Sequence, residues 1–458
     1  MTLQSPDLMH LFVAVTVLLV VAHTVGHLFL VLRQPPVIGE ILGGLLLGPT
    51  VLGVFAPDAH KWLFPSSGPV AAGLGVLYEA GLLLLLFLSG REMVEHRGDG
   101  RGKSTASMAL IGVVVPFAVG MFATRFVDVT ELSGPQGTRT SVGLVFGIGV
   151  AVTSIPVISR IMLDLDILRT AFARTVLSIA VFEDVVLYVM LAVVLGLAQA
   201  KSGSSYGLWS LFHNNGAVPS TIYYVVASLV FFAVFLPFGR PLFRLLSIGP
   251  GSFIEKRSPT AFRLVFMLLM ALTCVGLGIN PVFGALLSGA VAARADMRVT
   301  NPERQASTAG AWEALKKFSL AFFVPLYFAN VGVQLDLAHH FSALFFFAFL
   351  IMACLVKLGS IWVAARLAGE DNRAAVHFAV ALNARGGPGI VLATVTLGAG
   401  VINEDFYTVL AMLSIVTSQI AGVWLYVYRR EVADMARQAP AEPVLAASSG
   451  VAPSTKQV

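Results

Sequence analysis

Charge is the scarcest feature of this sequence. Only 12% of the 458 residues are charged, about half of the roughly 25% found in soluble globular chains. A soluble domain of this length would need a charged surface whatever the size of its core. Cysteine is also scarce, because Cys274 and Cys354 are the only two and both lie in apolar runs. The composition therefore excludes a soluble enzyme, a disordered protein and a disulfide scaffold.

Apolar residues dominate instead, at 57% of the chain. Since about 20 apolar residues in a helix cross a bilayer, we predict an all-α polytopic membrane protein with 13 transmembrane helices. The net charge of +5 does not indicate a nucleic-acid partner, because the basic residues are needed for membrane topology. The predicted spans are about 9–32, 36–55, 72–90, 106–126, 140–162, 172–198, 219–247, 261–278, 280–294, 316–334, 341–368, 374–399 and 404–428.

The distribution of basic residues tests this count. With thirteen spans, 24 of the 30 Lys and Arg residues fall on one side of the membrane, four on the other and two inside spans. Basic residues concentrate in cytoplasmic loops, so we predict an outside N terminus and a cytoplasmic C terminus in the inner (plasma) membrane. Residues 1–430 form the predicted transmembrane domain. The Ala-, Pro- and Ser-rich residues 431–458 are predicted to be a disordered cytoplasmic tail.

An internal repeat divides the membrane domain. The segment PVIGEILGG (36–44) in span 2 matches PVFGALLSG (281–289) in span 9, and FLSG (87–90) resembles FANVG (328–332). Spans 2 and 9 cross the membrane in opposite directions under the predicted topology. We therefore predict two inverted six-helix repeats, about 9–198 and 261–428, joined by a linker helix at about 219–247, an arrangement found in secondary transporters.

Four charged residues lie at the predicted middle of the membrane. Glu183 and Asp184 are about twelve residues into span 6, or about 18 Å along a helix, and Lys357 and Arg385 lie at a similar depth in spans 11 and 12. Charges at this depth are costly and usually functional; the alternative is an ion-paired network that only holds helices together. Neighbouring helical residues point about 100° apart, so one acid can pair with a base while the other faces a cavity.

Two spans are predicted to be broken at the same depth. Span 5 contains VTSIP (152–156) and span 12 contains NARGGPG (383–389). Proline removes a backbone donor and glycine loosens a helix. Broken spans at corresponding places in two repeats point to a transporter binding site, and Thr153 and Ser154 add hydroxyl oxygens that suit a hard cation.

Several motifs resemble those of the monovalent cation:proton antiporters, which include bacterial Na+/H+ and K+/H+ exchangers and plant cation/H+ exchangers. The motifs are QPPVIGEILGGLLLGP (34–49), residues 152–160, PLYFANVG (325–332) and NARG (383–386). The resemblance covers spans 2–12 and implies an elevator-like core moving against a dimerisation domain, usually in a homodimer. It also implies that Asp184 is the essential ion-binding aspartate and that Lys357 pairs with the preceding residue. That residue is usually Asp, Asn or Gln in the family and is Glu183 here.

The sequence thus predicts a secondary antiporter that exchanges Na+ or K+ for H+, not an enzyme. No cofactor and no resident metal are expected beyond the transported ions. Both cations take hard oxygen ligands, so the sequence does not choose between them. The predicted cation- and proton-binding residues are Asp184, Glu183, Thr153 and Ser154, and the charge-compensating residues are Lys357 and Arg385.

A second hypothesis on the same inverted-repeat fold is an ion-coupled symporter of a small organic anion. Such a protein would need a large polar cavity, and it usually lacks a paired lysine at the middle of the membrane.

Overall fold

The computed structural model is almost entirely helical. It describes residues 4–32, 34–95, 102–164, 167, 170–202, 208, 217–248, 252–299, 301–429 and 431–432, so most of the predicted C-terminal tail lies outside the described residues. Within these ranges there are nineteen α-helices. They are α1 (Ser5–Val31), α2 (Pro36–Leu47), α3 (Leu52–Phe55), α4 (Pro57–Leu63), α5 (Pro69–Glu95), α6 (Gly102–Ala123), α7 (Arg139–Ala151), α8 (Ile155–Asp164), α9 (Ala171–Ser202), α10 (Ala217–Ile248), α11 (Ser252–Arg257), α12 (Pro259–Leu277), α13 (Pro281–Asp296), α14 (Pro302–Phe318), α15 (Val324–Val333), α16 (Ala343–Leu367), α17 (Asn372–Ala381), α18 (Gly386–Gly398) and α19 (Glu404–Val427).

The helices confirm a polytopic membrane protein. Among the described residues, ten helical segments are long and apolar enough to cross a bilayer. Each of the thirteen predicted spans contains helix, but three of them are not among these ten segments: span 5 is divided between the short α7 and α8, span 9 is the short α13, and span 10 contains the short α15 with the preceding π-helical turn. The exact number of thirteen therefore stays a prediction.

The structure explains why hydropathy gives only a weak signal for the boundary between predicted spans 8 and 9. Helix α12 ends at Leu277 because Gly278 adopts a left-handed conformation with φ of +74°, which glycine reaches without steric cost. Helix α13 begins at Pro281, and the Asn280 side chain that precedes it accepts a hydrogen bond from the Val282 amide at 3.0 Å. The turn needs no charged residue and leaves the apolar run uninterrupted.

Helices α1, α2, α5 and α12–α15 pack into one bundle, which we call the scaffold bundle. Its helices approach closely at glycines that match between the repeats. A Cβ on Gly44 of α2 would collide with the Ala329 carbonyl of α15, and a Cβ on Gly289 of α13 would collide with the Phe87 carbonyl of α5. Gly44 and Gly289 occupy the same place in the two PVxG segments.

The reciprocal contacts show the same relation. A Cβ on Gly332 would collide with the Ile41 carbonyl, and a Cβ on Gly90 would collide with the Leu286 carbonyl. The contact of α2 with α15 is thus repeated by the contact of α13 with α5. Small residues allow such close helix packing in membranes. Two inverted repeats give this packing when the second span of each repeat packs against the third span of the other.

Helices α6–α9 and α16–α19 form a second bundle, the crossing bundle, which contains both broken spans. Helix α10 packs against α9 of the crossing bundle and α13 of the scaffold bundle. It occupies the predicted linker position between the repeats.

Candidate functional site

The two broken spans meet at their non-helical segments. Helix α7 ends at Ala151, and residues 152–154 are non-helical before α8 begins. The Thr153 hydroxyl donates a hydrogen bond to the Leu382 carbonyl at 2.6 Å, and the Ser154 amide donates to the Ala384 carbonyl at 2.7 Å. Both side chains are fully buried. Each interruption therefore satisfies backbone hydrogen-bonding groups of the other. Non-helical backbone inside a membrane requires such partners.

Arg385 neutralises the carbonyl end of α7. Its Nε atom donates to the Gly149 carbonyl at 2.9 Å, and its Nη2 atom donates to the carbonyls of Val150 and Ala353 at 3.0 and 3.1 Å. Its Nη1 atom donates to the Asn383 side chain at 2.9 Å. The guanidinium is completely buried, and a cation at a helix C terminus is favourable because the helix dipole is negative there. No carboxylate is in hydrogen-bond contact with Arg385 among the described residues.

Lys357 joins α16 to three other helices. Its Nζ atom donates to the carbonyls of Gly112 in α6 at 2.9 Å and of Ala151 at the end of α7 at 2.6 Å, and to Glu183 Oε1 in α9 at 2.8 Å. An ammonium group has three donors, so all of them are used. The Lys357 side chain is fully buried and that of Glu183 is 1% exposed. This pair is a buried ion pair with a complete donor set.

Asp184 is the carboxylate that this network does not satisfy. It follows Glu183 in α9, is 3% exposed, and its Oδ1 atom has no hydrogen-bond partner among the described residues. Glu183 Oε2 is also buried without a partner. Glu183 and Glu92 of α5 both act electrostatically on Asp184 as like charges. No described contact joins Asp184 to Thr153 or Ser154, although Thr153 lies beside Glu183.

The start of α18 provides further polar groups. The Gly386 amide donates to the Ser418 hydroxyl at 2.9 Å, and the Arg385 amide donates to the Thr417 hydroxyl at 3.4 Å, both hydroxyls coming from α19. A Cβ on Gly386 would collide with Val157 and lie 2.6 Å from Ser154 Oγ, and its φ of +38° disfavours other residues. Glycine here lets the two interruptions approach each other.

Sequence reasoning missed three contributors to this site. Glu92 adds a negative charge near Asp184 from the scaffold bundle, but it lies beyond the predicted end of span 3, where charged residues are common. Gly112 supplies a carbonyl to Lys357, and a Cβ there would lie 2.9 Å from Glu183 Oε1. Cys354 accepts a hydrogen bond from the Asn383 side chain at 3.4 Å. A glycine in an apolar helix was the only signal for Gly112.

Comparison with known proteins agrees with this arrangement. The family described as "Sodium/hydrogen exchanger, transmembrane" matches residues 14–428. This chain belongs to that family. The predicted resemblance to monovalent cation:proton antiporters is confirmed, and the chain is a transporter and not an enzyme. Among the described residues, no group of three His, Cys, Asp or Glu side chains could hold a metal ion.

The names of individual relatives include different cations. The Na(+)/H(+) antiporter NhaS4 of Synechocystis is 26% identical over 92% of this chain and 97% of its own length. The K(+)/H(+) antiporter 1 of Saccharomyces cerevisiae is 27% identical over 91% of this chain but 46% of its own length. The chain thus spans about half of the yeast relative.

The sodium proton antiporter MjNhaP1 of Methanocaldococcus jannaschii shares the fold. Its structure at pH 8 aligns with a TM-score of 0.54 at 14% identity, over 94% of this chain and 99% of that one.

Proposed function

We propose that this chain exchanges a monovalent cation, Na+ or K+, for protons across a membrane, and that Asp184 binds the two ions in competition. The observation that carries this proposal is the buried Asp184 carboxylate with an unpartnered oxygen beside the crossing of two broken helices. A buried carboxylate without a partner is costly unless it takes up a proton or a cation.

The surrounding charges support competition of the cation and the proton for the Asp184 carboxylate. The positive charge of Lys357 is matched by Glu183, and that of Arg385 is solvated by helix-end carbonyls. Asp184 is then left without a matched positive charge among the described residues. A dehydrated cation and a proton cannot occupy one carboxylate together, so loading of one requires release of the other.

Thr153 and Ser154 are proposed to supply oxygens to the bound cation. The Thr153 hydroxyl donates a hydrogen bond to a carbonyl and accepts none from the described residues. Its oxygen is therefore available as a ligand. We further propose that the crossing bundle moves against the scaffold bundle in an elevator-like manner, within a homodimer of the inner membrane. The proposed orientation has the N terminus outside and the C terminus in the cytoplasm. The organic-anion symporter is not favoured, because the relatives are named antiporters.

The test is ion exchange in proteoliposomes. Purified protein is reconstituted with an internal pH-sensitive dye, and Na+, K+, Li+ or a small organic anion is added. We expect Na+ or K+ to change the internal pH, and Asp184→Asn to abolish this response. Asp58→Asn is the matched control, because Asp58 is exposed in α4.

Exchange at the wild-type rate by Asp184→Asn would refute the site. A response to the organic anion alone would refute the antiport proposal.

A further inference from the structure

A basic cavity lies at the end of α10, far along the chain from the crossing helices. It has a volume of about 250 Å³ and is enclosed by α10, the short α11, the end of α13 and the start of α14. Its polar lining includes Arg244, Ser247, Glu255, Arg298 and Arg304. The volume is below the roughly 300–1,000 Å³ of sites for drug-sized ligands, so the cavity suits a small polar group.

Both carboxylates at this cavity already have basic partners. Asp296 Oδ2 accepts from Arg263 Nη2 at 2.7 Å and from Trp312 Nε1 at 2.8 Å. Glu255 accepts from Arg304 Nη2 at 3.0 Å and from the Ser247 hydroxyl. The two acids are thus neutralised by Arg263 and Arg304, and neither is available to balance further positive charge.

Three arginines remain unbalanced. Arg244 and Arg298 act electrostatically on Arg240 as like charges, and the Arg240 Nε atom is shielded from solvent without a hydrogen-bond partner. Neither Arg244 nor Arg298 forms a hydrogen bond or ion pair with the described residues. Clustered guanidinium groups repel one another, and they match the oxygens of a phosphate through paired hydrogen bonds. The guanidinium groups at this cavity therefore offer donors that suit an anionic ligand.

Exposed apolar side chains beside the cavity indicate where this anion comes from. Leu245 of α10 and Phe253 of α11 are 66% and 68% exposed. Both flank the cavity-lining residues in sequence, so a ligand with a charged head and an apolar tail could contact both surfaces. The basic-residue distribution predicts that this side is cytoplasmic, and basic pockets between membrane helices on that side bind lipid headgroups.

We propose that this cavity binds the phosphate of an anionic phospholipid headgroup through Arg244 and Arg298, while Arg240 adds positive charge nearby. The bound lipid stabilises the joint between α10 and the α13–α14 corner. Since α10 also packs against α9, which carries Asp184, the site links the lipid composition to the helix that holds the proposed ion site.

The experiment measures thermal unfolding of the purified full-length protein in detergent, with and without short-chain phosphatidylglycerol. Short-chain phosphatidylcholine is the neutral lipid, and inorganic phosphate and glycerol phosphate are the soluble anions. Phosphatidylglycerol should raise the unfolding temperature of the wild type. In the double variant Arg244→Gln/Arg298→Gln the apparent affinity should fall about 30-fold, from about fivefold for each basic residue near an anionic surface.

Two further variants keep the test decisive. Arg373→Gln removes an exposed arginine outside the cavity on the same predicted side and should retain the full response. Arg244→Lys/Arg298→Lys keeps the charge but loses the paired hydrogen bonds, and should bind with intermediate affinity even where the glutamine variant unfolds.

An equal response of the double glutamine variant and the wild type to phosphatidylglycerol would overturn the proposal. An equal effect of inorganic phosphate and phosphatidylglycerol on the wild type would overturn the lipid source and retain a soluble phosphate ligand.

Discussion

Joint removal of Glu183 and Lys357 should destabilise the protein far less than the sum of the losses from their separate removal. Glu183→Gln leaves a fully buried ammonium group with only neutral oxygen acceptors in place of two carbonyls and a carboxylate. Lys357→Met leaves the Glu183 carboxylate buried without its partner. Breaking a buried pair from one side costs about 3–5 kcal/mol, so each single variant should lose stability of this order.

The double variant Glu183→Gln/Lys357→Met removes both buried charges but still leaves buried backbone carbonyls without a donor. The carbonyls of Gly112 and Ala151 lose their donor, and an unsatisfied buried acceptor costs about 1–3 kcal/mol. The double variant should therefore be about as stable as either single variant. The sum of the two single losses then exceeds the loss of the double variant by one single loss, which corresponds to a coupling free energy of about 3–5 kcal/mol between the two side chains.

The assay is equilibrium unfolding of the four proteins in mixed micelles, from which the coupling free energy is calculated. The pair Glu313 and Lys317 offers a matched control, because its 2.7 Å ion pair has side chains that are 65% and 78% exposed. Solvent-exposed ion pairs contribute little to stability, so Glu313→Gln/Lys317→Met should show no measurable coupling. Additive losses at Glu183 and Lys357 would refute the reasoning, because they would mean that the observed contact carries no interaction energy.

Two other predictions concern a close helix contact and the half-buried histidine His340. Gly44→Ala should lower the unfolding temperature because its Cβ would collide with the Ala329 carbonyl, whereas Gly75→Ala, which has open space, should not; equal unfolding temperatures would contradict the close packing. His340 donates to Asp405 at 2.8 Å, and this bond raises the pKa of the imidazole above 6.5. Its stabilising contribution is therefore complete below about pH 6.5 and is lost as the pH rises through the raised pKa, so His340→Gln should flatten the unfolding temperature between pH 6 and 8; an unchanged pH profile would exclude this group.

The membrane helices could be predicted from sequence because hydropathy and basic-residue bias depend on local composition. The interruptions in spans 5 and 12 could be predicted for the same reason, since proline and clustered glycines weaken a helix wherever it lies. The structure confirms both interruptions at the predicted segments. By contrast, the number of spans depends on short helices such as α13 and α15, for which length and composition are a weak guide.

The partners of the buried charges could not be predicted from local pattern alone. Arg385 binds carbonyls of Gly149 and Val150, more than two hundred residues earlier in the chain. Backbone carbonyls occur in every residue, so no side-chain pattern marks the ones that will bind a cation. The sequence left open whether Arg385 compensates a helix end or a neighbouring acid. The structure places it on the helix end.

The interruption of α7 and the two buried cations depend on each other. Without the break, the carbonyls of Gly149, Val150 and Ala151 would be used within the helix, and Arg385 and Lys357 would lose most of their acceptors. Without the cations, those carbonyls would face the membrane interior unsatisfied, which costs several kcal/mol for each group. The guanidinium of Arg385 is thus used on backbone carbonyls and the Asn383 side chain, and Lys357 is paired with one carboxylate. Asp184 is the remaining carboxylate, and it is the one for which we propose an exchangeable ion as the source of positive charge.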